Sequence, residues 1–561
     1  MTHRFFYGVL LTTCACTHAF AQRTASPVPA VTGDISCTPD VRPGDSPQLG
    51  RNGHRNNVVD EANAPTDWDV STGANIRWSM PLGEFTHGSP TIANGKVYVG
   101  TGNGAGYVQR FPKTVNLGVL LCFRESDGQF LWQYSAEKLS GPGDVDIIRS
   151  GLCSTPVVDG DRVWVVSNRG EVVCLDSEGF LDGEDDGVVQ SSVMARDEAD
   201  VVWSFDMMKE LGVLQRTMAN CSPALWGDVL FVCTSNGAHG RDFHVPAPQA
   251  PSFLALDKHT GRVLWTDNSP GANILYGQWS SPAVGVFDGV AQVLFPGGDG
   301  WLYSFRADAG KNGKPEFLWK FDGNPKNAVY GDRSNEDRIA FLASPVIDNG
   351  RVYLSMAVYP TTDDRKGRLW CIDPRKQGDV SAELVIDEAG AVVPPRRDHQ
   401  IEPVDGKTPR VIANPNSAVI WQYSDYEQDD GSFKTTLCQA IGAPAIRHEI
   451  LVTADMKGVV HALNARTGVP IWTCQMRKTW GSPLIAGDNI FVGDQGGIMA
   501  ILSLSHDPSR SINAPGGAGG RTGRPLKSLR VGSGIYTTPA YANGVLYVAT
   551  KDRLFAIGAK N

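Results

Sequence analysis

Short apolar runs alternating with small or polar residues recur along the chain, each broken by a glycine-bearing turn. Near the start, Thr91-Ile92-Ala93 leads through Asn94-Gly95 into Lys96-Val97-Tyr98-Val99-Gly100-Thr101. At the end, Ala540-Tyr541-Ala542 leads through Asn543-Gly544 into Val545-Leu546-Tyr547-Val548, then Arg553-Leu554-Phe555-Ala556-Ile557. Asn-Gly between such runs predicts a tight β-hairpin, because both residues tolerate positive φ. Helical periodicity is scarce, so the pattern predicts many short strands and an all-β chain.

Each unit opens on a Pro landmark: Ser89-Pro90, Thr155-Pro156, Ser222-Pro223, Ser281-Pro282, Ser344-Pro345, Ala443-Pro444, Ser482-Pro483 and Thr538-Pro539. The mean spacing of about 64 residues is long for a propeller blade, so the excess is expected in loops. A second landmark follows in each unit, clearest in Ala255-Leu256-Asp257-Lys258-His259-Thr260-Gly261-Arg262-Val263-Leu264-Trp265 and in Ala462 to Trp472. Asp or Asn can hydrogen-bond the turn amides, Gly takes positive φ, and the returning strand ends in Trp. Trp132, Trp203, Trp319 and Trp421 stand at the same place. These indoles are expected to wedge blade against blade rather than to bind a ligand. The last unit lacks its outer strand, while Thr72-Gly73-Ala74-Asn75-Ile76-Arg77-Trp78 is an orphan copy of that element. The expected fold is therefore an eight-bladed β-propeller over 71–561, closed by an N-terminal strand bearing Trp78, with no free sheet edge. The seventh unit carries Leu526-Lys527-Ser528-Leu529 where Trp is expected.

The Ala-x-Asp-x-x-Thr-Gly-x-x-x-Trp element resembles the tryptophan-docking repeat of pyrroloquinoline-quinone (PQQ) type propellers, from Asn75 to the end. Ser46-Pro47-Gln48-Leu49-Gly50-Arg51-Asn52-Gly53, followed by Pro65-Thr66-Asp67-Trp68-Asp69, resembles the start of exported PQQ-binding-like propellers of planctomycete type. The blade motif is also similar to that of outer-membrane-assembly propellers, which hold partner proteins. The resemblance is specific for fold and implies two functions, a non-catalytic scaffold or a PQQ-dependent alcohol or sugar dehydrogenase.

Residues 1–21 read as a secretory leader: His3 and Arg4, an apolar stretch from Phe5, then Ala19-Phe20-Ala21, with cleavage expected after Ala21. Thr13 before Cys14 fits lipid attachment poorly. Residues 22–70 form an N-terminal extension. The chain carries a formal charge of −9, one unit more negative once Arg4 leaves with the leader, which disfavours nucleic acid and anionic membrane as partners. Cys122, Cys174 and Cys371 share one repeat position with Ala255 and Ala462, so they are expected to be small buried residues. The pairing of the other cysteines stays open. Two inserts, 375–416 and 505–525, are expected to be surface loops of blades five and seven; the first contains Pro394-Pro395-Arg396-Arg397 and the second Pro515-Gly516-Gly517.

A PQQ enzyme needs flat walls, cations or amides for three carboxylates, oxygen ligands for calcium and an Asp base. The adjacent cysteine pair usual in alcohol dehydrogenases of this type is absent, as is Cys-x-x-Cys-His for a bound haem. The expected function is thus a non-catalytic propeller, monomeric, exported to the periplasm or beyond, binding an envelope or extracellular protein or a ligand. A dehydrogenase, or a carbohydrate-binding or sensor propeller, is the alternative. Residues just before the Pro landmarks face the ring axis, and His87, Asn220, Gln278, Trp279, Trp480 and Tyr536 are the candidate ligand-binding set. Asp182-Gly183-Glu184-Asp185-Asp186-Gly187 partly matches a calcium loop; Asp182, Glu184 and Asp186 would be the ligands, against the alternative of a solvated acidic turn.

Overall fold

The structure is a computed structural model describing residues 39–559, except 62, 141–144, 148–149, 241–243, 309–312, 329–337, 358–365, 394–408, 425, 428–432, 435–436 and 517–521. The leader, Cys37 and Pro394 to Arg397 lie outside the described residues.

Alternation of apolar and polar positions folds each unit into a four-stranded antiparallel blade. Blade one is Thr91–Ala93, Lys96–Gly102, Leu117–Arg124 and Phe130–Glu137, in that order from the axis outward. Seven further blades follow, so the chain is an eight-bladed β-propeller. The orphan element closes the ring: Ile76–Pro81 pairs antiparallel with Arg553–Ile557, setting Trp78 opposite Ala556.

The docking tryptophans occupy one register. Cys122 faces Trp132, Cys174 faces Trp203, Ala255 faces Trp265, Cys371 faces Trp421 and Ala462 faces Trp472. A small residue is required there because the indole folds over the strand beside it, and a β-bulge adjoins each of these pairs. The indole N–H then reaches the next blade: Trp132 donates to the Ser177 carbonyl at 3.0 Å and Trp421 to that of Ala465 at 2.9 Å. The Thr-Gly glycine lies beneath the preceding blade's indole. A Cβ on Gly468, whose φ is +74, would sit 2.7 Å from Trp421.

Blade seven departs from this register. Ser528 faces Ala500, without a bulge. Trp68, only 4% exposed, comes from the N-terminal extension, packs with Met499, Ile501 and Val531, and donates to the Arg530 carbonyl at 3.1 Å. An indole from elsewhere in the chain fills the junction that lacks its own.

The inserts are more ordered than their composition implies. Gly378–Asp379 adds a parallel strand to the outer edge of blade four, and Glu383–Ile386 pairs with Arg410–Ala413. The second insert belongs to the edge of blade six rather than blade seven: Ile512–Gly516 pairs with Thr522–Pro525, which runs parallel to Pro470–Gln475. Each insert covers an outer strand that would otherwise expose unpaired amides.

The Ser/Thr of the Pro landmark has a structural use. Its hydroxyl accepts the landmark N–H of the preceding blade, from Ser89 to Thr155 (3.1 Å), Thr155 to Ser222 (3.0 Å) and Ser222 to Ser281 (2.9 Å). A second run goes from Ala443 to Ser482 (2.9 Å), Ser482 to Thr538 (3.0 Å) and Thr538 to Ser89 (3.0 Å), where it meets the first. Ser482→Ala is expected to strand the Ala443 N–H and cost about 1 kcal/mol in urea unfolding.

Candidate functional site

The innermost strands build a cavity of about 390 Å³ on the axis. Its wall follows from the two-residue period of a strand. Three residues before each landmark Pro stand His87, Cys153, Asn220, Trp279, Leu342, Ile441, Trp480 and Tyr536, and all of them line the cavity. One residue before it stands the hydroxyl belt, which forms a second lining ring. Five of the six residues expected at the axis are therefore there. Gln278 is not: it sits four before Pro282, so the pleat turns it away from the axis into the blade. It is fully buried there, donating to the Asn236 carbonyl (3.0 Å) and Ser252 Oγ (2.9 Å) and accepting from the Gly298 N–H. Cys153, Leu342 and Ile441 were not anticipated, although the same offset locates them.

The far end is closed by a segment that the sequence pattern did not reveal. Residues 46–59 cross the axis and bond to every blade. Ser46 exchanges backbone bonds with Ile92 of blade one, and the Pro47 carbonyl accepts from Val158 of blade two. Gly53 and His54 carbonyls accept from Val284 and Ile347 of blades four and five, and the Asn57 carbonyl from Ile485 of blade seven. The Asn56 side chain pairs with both backbone groups of Ile446 in blade six, and Asn57 Nδ2 donates to the Pro483 and Pro539 carbonyls of blades seven and eight. These backbone partners lie two residues beyond the landmark Pro, one step below the hydroxyl belt.

Arg55 is the centre of this plug and is 2% exposed. Nε donates to the Pro282 carbonyl, Nη1 to Gln48 Oε1 and the Leu49 carbonyl, and Nη2 to the Ser222 and Pro223 carbonyls. Five acceptors consume all its N–H groups. Burial lowers its pKa to about 10, so it stays charged at neutral pH. Gly50 permits the tight turn, with φ +67 and a would-be Cβ 2.5 Å from the Arg55 carbonyl oxygen.

The other described lining residues are uncharged. His87, Tyr536 and Trp480 form a contiguous aromatic arc across blades one, eight and seven, with ring centroids 5.4, 5.5 and 6.0 Å apart. Trp279 of blade four stands across the ring, held by its N–H to the Arg216 carbonyl at 2.9 Å. Desolvation lowers the His87 pKa to about 4, so its ring is neutral at pH 7. Protonation is then disfavoured by the fold, and stability is lost as pH falls through the window from about 6.5 to 4. His87→Phe is expected to flatten that part of the melting-temperature profile relative to the parent. Burial pushes the Cys153 thiol up to about 12, and its Sγ lies 3.5 Å from Met218 Sδ. Asn220 Oδ1 is buried without a hydrogen-bond partner.

In the acidic turn, Asp182 and Asp186 are engaged with other partners. Asp182 accepts the Glu184 amide at 3.0 Å within its own turn, while Asp186 reaches toward Arg162 at 3.3 Å and donates its amide to Asp200. Among the described residues no group of three His, Cys, Asp or Glu could hold a metal ion. Cys122, Cys174 and Cys371 are buried free thiols in the docking register, and none of the described cysteines is paired.

A planar tricarboxylate quinone with calcium does not fit this cavity. Among the described lining residues there is no Asp, Glu or Lys to ligate the metal, act as base or meet a carboxylate, and Arg55 has no N–H to spare.

Fold and site together define a tryptophan-docked, eight-bladed propeller with a blind axial well. Residues 407–507 match the PQQ_2 family model, described as outer membrane protein assembly factor BamB. No curated protein matches the chain. Among solved structures, BamB from Moraxella catarrhalis is 14% identical, with a TM-score of 0.45 over 79% of this chain and 94% of that one. Quinohemoprotein alcohol dehydrogenase from Comamonas testosteroni is 13% identical, with a TM-score of 0.43 over 93% of this chain and 81% of that one. A europium-containing methanol dehydrogenase is 11% identical, with a TM-score of 0.42 over 91% and 90%. Among the described residues no helix is long and apolar enough to cross a membrane.

Proposed function

We propose that the protein is an exported, non-catalytic binding propeller, released after removal of residues 1–21, whose axial well holds a small ligand on a rigid scaffold. The chemistry of the described lining residues carries this reading. The well has aromatic walls and hydroxyls, but its described lining offers no carboxylate base, a His87 of lowered basicity, and no cation with a free N–H for a carboxylate cofactor. Reconstitution with PQQ and calcium, followed by dye-coupled assay with alcohols and sugars, is expected to give no turnover and no thermal shift. Dye reduction would overturn the reading.

A protein-contact role of the outer surface is favoured by one feature. Val188, Val193 and Met194 share a loop of blade two and are 85%, 43% and 46% exposed. An envelope or extracellular protein is the partner class consistent with export.

A further inference from the structure

The well's hydrogen-bonding inventory is lopsided in a way that specifies its ligand. Each belt hydroxyl named above accepts a backbone N–H from the neighbouring blade, which occupies a lone pair and leaves its O–H as a donor, except in Ser281, whose hydroxyl bonds Cys221. The lower ring therefore offers donors from Ser89, Thr155, Ser222, Ser482 and Thr538 to an acceptor-rich molecule. Asn220 lines the upper ring; its Oδ1 is covered and unpartnered, and it gains a partner when the side chain turns toward a donor on that same molecule. Above the belt, the His87–Tyr536–Trp480 arc supplies a broad apolar wall, faced across the ring by Trp279.

The one charge among the described lining residues, on Arg55, is already fully bonded. His87 is neutral, the Arg55 donors are spent, and no carboxylate or ammonium stands among the described lining residues. An anionic ligand would lose its hydration and find no Arg55 N–H free to replace it. The cavity of about 390 Å³ is near the lower end of the roughly 300–1,000 Å³ typical of small-molecule sites, room for one or two six-membered rings.

Resting on the binding-propeller reading, we propose that the well takes a neutral saccharide. The apolar C–H face of a pyranose lies on the Trp480–Tyr536 wall, its ring and hydroxyl oxygens accept from the belt, and one hydroxyl donates to Asn220 Oδ1. Binding is non-covalent and no bond is broken.

Calorimetric titration tests this with three probes of similar size: cellobiose, glucuronic acid at pH 7 and adenosine. Cellobiose is expected to bind, with affinity falling at least tenfold in Trp480→Ala and in Asn220→Leu, and largely restored in Trp480→Phe. Circular dichroism and melting of each unliganded variant separate loss of binding from loss of fold. Binding of adenosine or glucuronate without cellobiose overturns the saccharide assignment, as does failure of all three. Neither result touches the non-catalytic reading, which falls only on dye reduction with PQQ.

Discussion

Arg55→Ala is expected to destabilise the propeller by about 3–5 kcal/mol, the scale for removing one partner of a buried, fully bonded charge. Five acceptors lose their donors at once: Gln48 Oε1 and the Leu49 carbonyl within the plug, and the Ser222, Pro223 and Pro282 carbonyls of the blades around it. The loss is not confined to one blade, because the acceptors span blades three and four as well as the plug itself. Arg55→Lys keeps the charge but offers three donors in place of five, so it is expected to fall between the parent and the alanine variant. Urea unfolding midpoints measure the order. Hydrogen exchange adds the mechanism: the Val284, Ile347 and Ile485 amides, which donate to plug carbonyls, should lose protection together in Arg55→Ala.

Trp132→Ala is the second large effect, at about 3–5 kcal/mol for truncating a large aromatic in a close-packed core. Trp132 is fully buried, packs 5.8 Å from Tyr98 and bonds to blade two through its indole N–H. The informative comparison is Trp68→Ala. If Trp68 substitutes for the indole missing at Ser528, its removal is expected to cost as much as Trp132→Ala, although it lies outside every repeat. Replacement of an ordinary extension residue would cost little. Equal shifts in denaturation midpoint for the two tryptophan variants verify the substitution; a near-silent Trp68→Ala refutes it.

The blades were legible because the repeat writes their geometry twice, once in the Ser/Thr-Pro landmark and once in the small-residue and Trp register. Closure by the strand carrying Trp78 was legible for the same reason. The axial ring was read correctly wherever the strand register was respected. Gln278 was misplaced because it was chosen for its polar side chain, one residue out of phase, and a one-residue step on a strand exchanges its faces. Cys153, Leu342 and Ile441 share the offset of His87 but carry no polar signal, so the choice by chemistry passed over them.

The plug was illegible for a physical reason. Ser46 to Asn57 spends its hydrogen bonds one or two at a time on eight different blades, which requires no alternation and leaves no periodic trace. The inserts were visible as insertions, but a two-residue strand such as Gly378–Asp379 carries no pattern of its own. The acidic turn shows the converse: alternate carboxylates in sequence need a loop that curls them inward, and here one turns into its own backbone while another meets Arg162.

The axial well is, on this reading, a blind binding site with no carboxylate and no cation free to bond among its described lining residues, rather than a quinone site. The most direct test is a crystal structure of the protein grown with a neutral disaccharide, PQQ and calcium together. The account predicts a sugar ring between Trp279 and the Trp480–Tyr536 wall, above an ordered plug centred on Arg55, with no quinone in the well. A quinone seated on the axis with calcium beside it would contradict the account.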